Sequence, residues 1–538
     1  MNPEAGKTLS FWAASADVPS FPFLNADMAA DVCVIGAGIA GITTAYWLSK
    51  ANFKVILVDD GPICGGETHR TTAHLSNVID DRYQVLENEF GTEKTHLVYK
   101  SHTAAIDCIE AIIDEEMIDC DFERLDGYLF LGANDKSETL EKELEVCKRI
   151  GFTDCELWRS MPLSFFPDIR PTIRFKRQAK FHVVKYLRAL ARAIVRGGGQ
   201  IFMGAHALEI EDGKIATVKF ANGKRIRAAN IVVATNTPIS DRVKVHTKQA
   251  AYRTYVIAGK VPKGSVPGLY WDTEEPYHYV RTSPMEDDPF HDLLIVGGED
   301  HKTGQEEDKA EEYFKRLEIW ARRMFPVLAD IQYRWSGQVM ETVDGLAYIG
   351  RDPAHGENVF IATGDSGMGM THGTLAGLLL TDAIRGIDNP WAELYDPSRK
   401  TLQAAMDYVH ENLNVVAQYA DYVRPSDQDS IAAIMPGEGA VMHHNGEAIA
   451  VYRDDNGYTY QCSAVCPHLK ALVRWNGVEK TFDCPAHGSR FCGNGEVVNG
   501  PAVTGLTALP TNRRIDDTDY GKVPPPTMPS AEQGLPPI

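Results

Sequence analysis

The chain has 538 residues, length for roughly three or four structural units. Its 44% hydrophobic and 24% charged residues exclude wholesale disorder. Its 74 acidic against 54 basic residues leave a net charge of −20, which argues against nucleic acid or an anionic membrane as the main partner.

No apolar run approaches the ~18 residues of a membrane span. The first residues, MNPEAGKTLSFW, lack the basic-then-apolar pattern of a leader. Most of the ten cysteines are scattered singly, which predicts a reducing, cytoplasmic setting.

Residues 1–28 read as an irregular arm. The stretch DVCVIGAGIAGITTAYWLSKANFKVILVDD then reads as strand (32–35), glycine turn, helix (39–51) and strand (54–58). Gly36, Gly38 and Gly41 form G-x-G-x-x-G in that turn. Such glycines allow a tight turn, close approach of backbone to a pyrophosphate, and close helix–strand packing. Asp59 ends the second strand, where an acid meets a ribose hydroxyl. Residues 81–149 read as mostly helical, and FHVVKYLRALARAIVRGGGQIF as a helix, a glycine stop and a strand.

IRAANIVVATNTP is another buried strand, and 249–298 is strand-rich. A helix follows at 305–323, then NVFIATG as a strand, a glycine-rich turn and a helix to 384. This interleaving predicts two intertwined units within 29–425. One is a nucleotide unit from about 29–80, 178–248 and 340–388; the other is a substrate-side antiparallel sheet from about 81–177 and 249–339. Helical pattern continues to about 422, RPSDQDS breaks it, and a hairpin is predicted at 447–453 and 458–462 around DDNG. Residues 521–538 form a proline-rich tail after a last unit at 426–520.

That last unit holds Cys466-Pro467-His468 and Cys484-Pro485-Ala486-His487, with fifteen residues between the pairs. Two thiolates and two imidazoles suit zinc or a Rieske [2Fe–2S] cluster.

The dinucleotide stretch resembles the glycine oxidase and D-amino-acid oxidase family of FAD flavoproteins. So do GGETHRTTAHLSN (65–77), IVVATNTP (231–238) and DGLAYIGRDPAHGENVFIATGDSGMGMTHGTLAG, the whole resemblance covering about 30–386. It implies FAD held by Gly36, Gly38, Gly41, Asp59, Thr68, Arg70, Thr71, Thr72, Ala234, Gly364, Gly367, Met368, Gly369 and Thr371. CPHLKALVRWNGVEKTFDCPAHGSRF followed by GEVVNGPA resembles the Rieske cluster loops. That implies Cys466 and Cys484 on one iron and His468 and His487 on the other. Ala471 and Ala486 stand where quinol-oxidising Rieske proteins carry a linking disulfide, so the domain resembles the ferredoxin type.

The implied fold is an α/β, Rossmann-like FAD-binding domain with an interleaved antiparallel-sheet substrate domain, followed by an all-β Rieske domain. Arg253 and Tyr255 on one strand, and Tyr279 and Arg281 on another, are candidates for the substrate face, either arginine as a carboxylate clamp. His74 is a candidate for the flavin. The resemblance implies oxidation of an amine or amino-acid C–N bond by hydride transfer to FAD. Electrons would leave one at a time through the cluster toward an external carrier such as a ferredoxin. The alternatives are a reductase fed through the cluster by an external donor, and a non-enzymatic redox sensor or electron carrier.

Overall fold

The dinucleotide stretch folds as expected and extends further. In the computed structural model its first strand is Met28–Ile35, its helix Ile39–Lys50 and its second strand Val55–Val58. The structure describes residues 6–167, 169–239, 245–306, 309–400, 414–415, 418, 421–422 and 425–509. The proline-rich tail at 521–538 and the helical pattern at 401–413 lie outside them.

Continuous apolar runs make strands that are buried on both faces, so they form the middle of a parallel sheet. The eight-stranded sheet runs Tyr348–Arg351, Val359–Thr363, Arg225–Val233, Met28–Ile35, Val55–Val58, Gln200–Phe202. All neighbours in that row are parallel except the first pair. Ala207–Glu211 and Ala216–Phe220 extend it from Arg225–Val233.

Helix Ile39–Lys50 packs between Val183–Arg196 and Gly369–Arg385. The crossing with the latter is close. A Cβ on Gly373 would lie 2.5 Å from the Ile39 side chain, and one on Gly377 2.5 Å from that of Thr43.

The second sheet has nine strands. Its main path is Ile331–Thr342, Gln249–Pro262, His291–Lys302, Tyr279–Pro284, Leu269–Asp272, Glu123–Phe130, Thr172–Lys180, His74–Leu75. Helix Ala310–Met324 packs on Gln249–Pro262 and His291–Lys302. The mostly helical reading of 81–149 holds in helices Tyr83–Glu116 and Ser137–Arg149, which strand Glu123–Phe130 separates. Only its second half, Gly127 to Phe130, is buried, so ERLDGYLF carries no clean alternation. The arm is also more ordered than read: Ser10 caps a short helix, Phe11–Ala14, whose Trp12 is fully buried.

The C-terminal unit is all β. It pairs Glu438–His444, Glu447–Arg453 and Thr459–Ser463 in one sheet, and Arg474–Asn476, Thr481–Asp483, Arg490–Cys492 and Val497–Asn499 in another. The α/β class with an interleaved antiparallel sheet and an all-β C-terminal unit is therefore the observed fold. No helix among the described residues is long and apolar enough to cross a membrane.

Candidate functional site

A cavity of about 330 Å³ lies where the carboxyl ends of the parallel strands meet the second sheet. Its first wall is the glycine turn. Gly36 has φ +104, and a Cβ there would lie 2.3 Å from the Ala234 carbonyl oxygen. Gly41 makes the helix pack: its Cβ would lie 1.8 Å from the Gly36 carbonyl oxygen. Helix Ile39–Lys50 starts at Gly38 with no side-chain cap, and Thr68 Oγ1 accepts from the Ile39 N–H at 3.1 Å.

The opposite wall is a second helix start. Gly369–Arg385 also lacks a side-chain cap, and Gly367 before it has φ +71. Two uncapped helix N-termini facing one cavity favour a ligand with a pyrophosphate at one end and a ring that gains negative charge at the other. FAD is such a ligand, and glycines that leave no room for a Cβ fit its close approach to the backbone. Asp59 accepts from the N–H groups of Ala37 at 2.6 Å and Gly61 at 2.8 Å. Burial, with Asp60 beside it, pushes its pKa up to about 7.

Of the residues expected at the dinucleotide, all but Gly41 line this cavity. Gly41 supports it from behind. Arg70 touches the lining, but its guanidinium points away: it donates to the Ser336 carbonyl at 2.6 Å and pairs with Glu479 of the C-terminal unit at 3.1 Å.

The expected substrate residues divide. Tyr279 and His74 line the cavity. The Tyr279 hydroxyl bonds Thr254 Oγ1 at 2.6 Å, and His74 lies between Thr72 Oγ1 at 2.9 Å and the Val280 carbonyl at 3.3 Å. Burial pushes the His74 pKa down to about 3, with the Arg281 charge adding to it, so the ring is neutral.

Tyr255, Arg253 and Arg281 are not in the lining, contrary to expectation. Past an irregularity in register between Arg253 and Tyr255, Tyr255 packs on Tyr313 and Phe314 and meets His301 Nε2 at 2.9 Å. Arg253 is fully buried, donating to Ser336 Oγ at 2.8 Å and pairing with Asp483 at 3.4 Å. Arg281 is fully buried beside Trp12 and donates to the carbonyls of Ala73 at 2.5 Å and Phe181 at 3.1 Å. Both arginines hold the fold together and leave no guanidinium facing the cavity as a carboxylate clamp.

Carboxylates occupy that wall instead: Asp80, Asp300, Glu341 and Asp365, with Tyr277 and Trp271. Tyr277 donates to Asp80 at 2.8 Å, while Asp300 Oδ1 and Asp365 Oδ1 meet no hydrogen-bond partner. Enclosure by protein pushes Asp80 and Asp300 up to about 7 and Asp365 up to about 6. Glu341 is raised well above the usual range, first by burial and then by the charges of Asp81 and Asp80. These acids come from separate segments, and of them only Asp365 falls within a quoted motif, the glycine-rich stretch before helix Gly369–Arg385.

The four expected cluster ligands converge. Cys466 and Cys484 are buried free thiols. The rings of His468 and His487 stand 5.0 Å apart at 88°. His487 is 4% exposed and its Nδ1 meets no hydrogen-bond partner. A buried, unbonded imidazole nitrogen beside two buried sulfurs is the donor set a Rieske cluster needs. Ser489 is fully buried, and its hydroxyl accepts from the Ala502 N–H at 3.0 Å.

The two sites adjoin. Val497, Val498, Asn499, Gly500 and Ala502 of the C-terminal unit line the same cavity as the glycine turn. A buried charge network locks the units together: Arg70–Glu479, Arg253–Asp483 and Arg490–Asp483, with Arg490 also 3.5 Å from Glu67. His246, at the start of the short 3-10 helix His246–Lys248 before Gln249–Pro262, stands edge-on against His468 at 5.2 Å. Sequence reasoning had no signal for His246, Glu67 or Asn499, because each gains its place only when the units dock.

Comparison with known proteins finds two families in the chain. Residues 31–383 match the FAD dependent oxidoreductase family and residues 428–510 the Rieske [2Fe-2S] domain. A Bacillus subtilis chain, YhfW, named for its Rieske 2Fe-2S centre, is 33% identical over 93% of this chain and 97% of its own length. The gamma-glutamylputrescine oxidoreductase of Escherichia coli is 26% identical over 70% of this chain and 89% of its own. Glycine oxidase from Geobacillus kaustophilus superposes with a TM-score of 0.58 at 16% identity, over 69% of this chain and 99% of that one.

Proposed function

This chain belongs to the FAD-dependent oxidoreductase family and carries a Rieske domain behind it, and from that premise we propose that it oxidises the C–N bond of a cationic amine and releases the electrons singly. The chemistry its two cofactors supply when bound is hydride acceptance by FAD and one-electron transfer by the [2Fe–2S] cluster. The amine loses a hydride from carbon and a proton from nitrogen. Water hydrolyses the resulting imine to a carbonyl compound and ammonia. The two electrons leave in separate steps to an external one-electron protein carrier.

The observation that carries this reading is the shared wall: residues of the C-terminal unit close the cavity that the dinucleotide turn opens. The choice of a cationic amine over an amino acid rests on the lining. Asp80, Asp300 and Asp365, once ionised, attract an ammonium, while Arg70 is already paired with Glu479. Tyr277 orients Asp80 by donating a hydrogen bond to it. A relative named for a glutamylated diamine accords with that choice.

Anaerobic addition of a panel of amines and amino acids, followed by flavin absorbance and then EPR, tests the reading. Diamines are expected to bleach the flavin and then to produce the reduced-cluster signal. Bleaching that never reaches the cluster overturns it.

The acids also set a pH dependence. Asp80 and Asp300, raised to about 7 chiefly by burial, are ionised above that pH and neutral below it. Attraction for a cation is therefore present above about pH 7 and lost as pH falls through it. KM for the amine is expected to rise below pH 7, by up to about tenfold per pH unit. A KM that stays flat from pH 8 to 6 contradicts the assignment.

A further inference from the structure

We infer that Gln338 is a positioning residue for electron passage, fixing the loop that carries Cys484 and His487 against the cavity wall; this rests on the relay proposed above. Gln338 lies on strand Ile331–Thr342, lines the cavity and is 4% exposed. Its backbone N–H donates to Glu67 Oε2 at 2.7 Å. Its side chain spans the boundary between the units. Nε2 donates to the Gly488 carbonyl at 2.9 Å, and Oε1 accepts from Asn499 Nδ2 at 2.8 Å. Asn499 Nδ2 also reaches Glu67 Oε1 at 3.1 Å. The amide orientation follows from its partners: a carbonyl only accepts, so Gly488 must face the NH₂ group.

Gly488 directly follows His487, and its peptide has no slack. Its φ is +76, and a Cβ there would lie 2.3 Å from Ala251 Cβ and 2.6 Å from Gln338 Nε2. From the other side, a Cβ on Gly304 would lie 2.6 Å from the Pro485 nitrogen. The loop is thus pressed on the neighbouring unit at two points, and the Gln338 amide supplies its shorter polar contact there, Gln305 Nε2 reaching the Pro485 carbonyl only at 3.4 Å. A hydrogen bond to the peptide beside a ligand fixes that ligand's orientation and tunes the centre it holds. The same side chain reaches the cavity lined by the dinucleotide turn.

Gln338→Met keeps the length and removes donor and acceptor; Gln338→Glu keeps the shape but turns a carboxylate on the Gly488 carbonyl. In one anaerobic stopped-flow trace with a reducing amine, the rate of cluster reduction is divided by the rate of flavin bleaching. Both variants are expected to retain the cluster, to show shifted g-values after dithionite reduction, and to lower that ratio at least about tenfold. Asn499→Ala, which leaves the Nε2 bond in place, lowers it less, by about threefold. The wild-type ratio and g-values in both Gln338 variants overturn the inference while leaving the relay standing. If the wild type itself never reduces its cluster, the relay fails, and the dithionite spectra alone decide the role of Gln338: unchanged g-values overturn it.

Discussion

Glu479→Gln lowers the unfolding temperature by roughly 10 °C, the expected outcome of removing one charge from a sealed network. Glu479 and Arg70 have no exposed side-chain surface, nor do Arg253 and Asp483. Arg490 is equally buried and faces Asp483 and Glu67. Three guanidiniums are thus balanced by three carboxylates. A buried pair is weak evidence of net stabilisation, but removing one partner strands its opposite charge and costs about 3–5 kcal/mol. At about 2–4 °C per kcal/mol, that gives the quoted shift.

The pH dependence has a definite sign. Burial alone would raise the Glu479 pKa, but the charges of Arg70, Arg253 and Arg490 outweigh it and hold it at about 2, below the ordinary 4.5. Its contribution is complete above pH 4.5 and disappears as pH falls toward 2. Calorimetry of wild type and variant at pH 7 and pH 3 checks both points. A shift under about 2 °C at pH 7 would mean that the units do not depend on this lock.

Cys484→Ser abolishes the EPR signal of the dithionite-reduced protein while FAD remains bound. A serine hydroxyl lacks the soft, readily ionised sulfur that iron–sulfur chemistry requires. The dinucleotide turn, Gly36 to Gly41, belongs to a different sheet and does not depend on that thiol. FAD affinity falls only as far as the wall at Val497 to Ala502 loosens. Iron analysis, flavin absorbance and EPR on one preparation measure all three quantities. Loss of flavin together with iron would show that the two sites are one cooperative unit.

Much of this was legible in the chain alone, for identifiable reasons. Glycines at 36, 38 and 41 sit where a Cβ would collide, and parallel strands need unbroken apolar runs, so the nucleotide unit declares itself locally. The expected cluster ligands lie in two short segments whose spacing suits that chemistry. The substrate wall was not legible. Arg253 and Arg281 alternate with tyrosines as a pocket strand should, but their partners, Asp483 and the Ala73 carbonyl, are far away in sequence. Asp80, Asp300, Glu341 and Asp365 come together only through the fold. A charge alternating on a strand reveals which side it faces, not what it will meet there.

The glycine crossing between helices Ile39–Lys50 and Gly369–Arg385 carries one more consequence. Both helices begin at the cavity, so their axes are aiming devices as well as scaffolding. A single extra methyl at Gly373 or Gly377 would act as a wedge, swinging the two amino ends apart and detuning the electric field at the ligand. Tight packing far from any reacting atom is therefore part of the optics of the site.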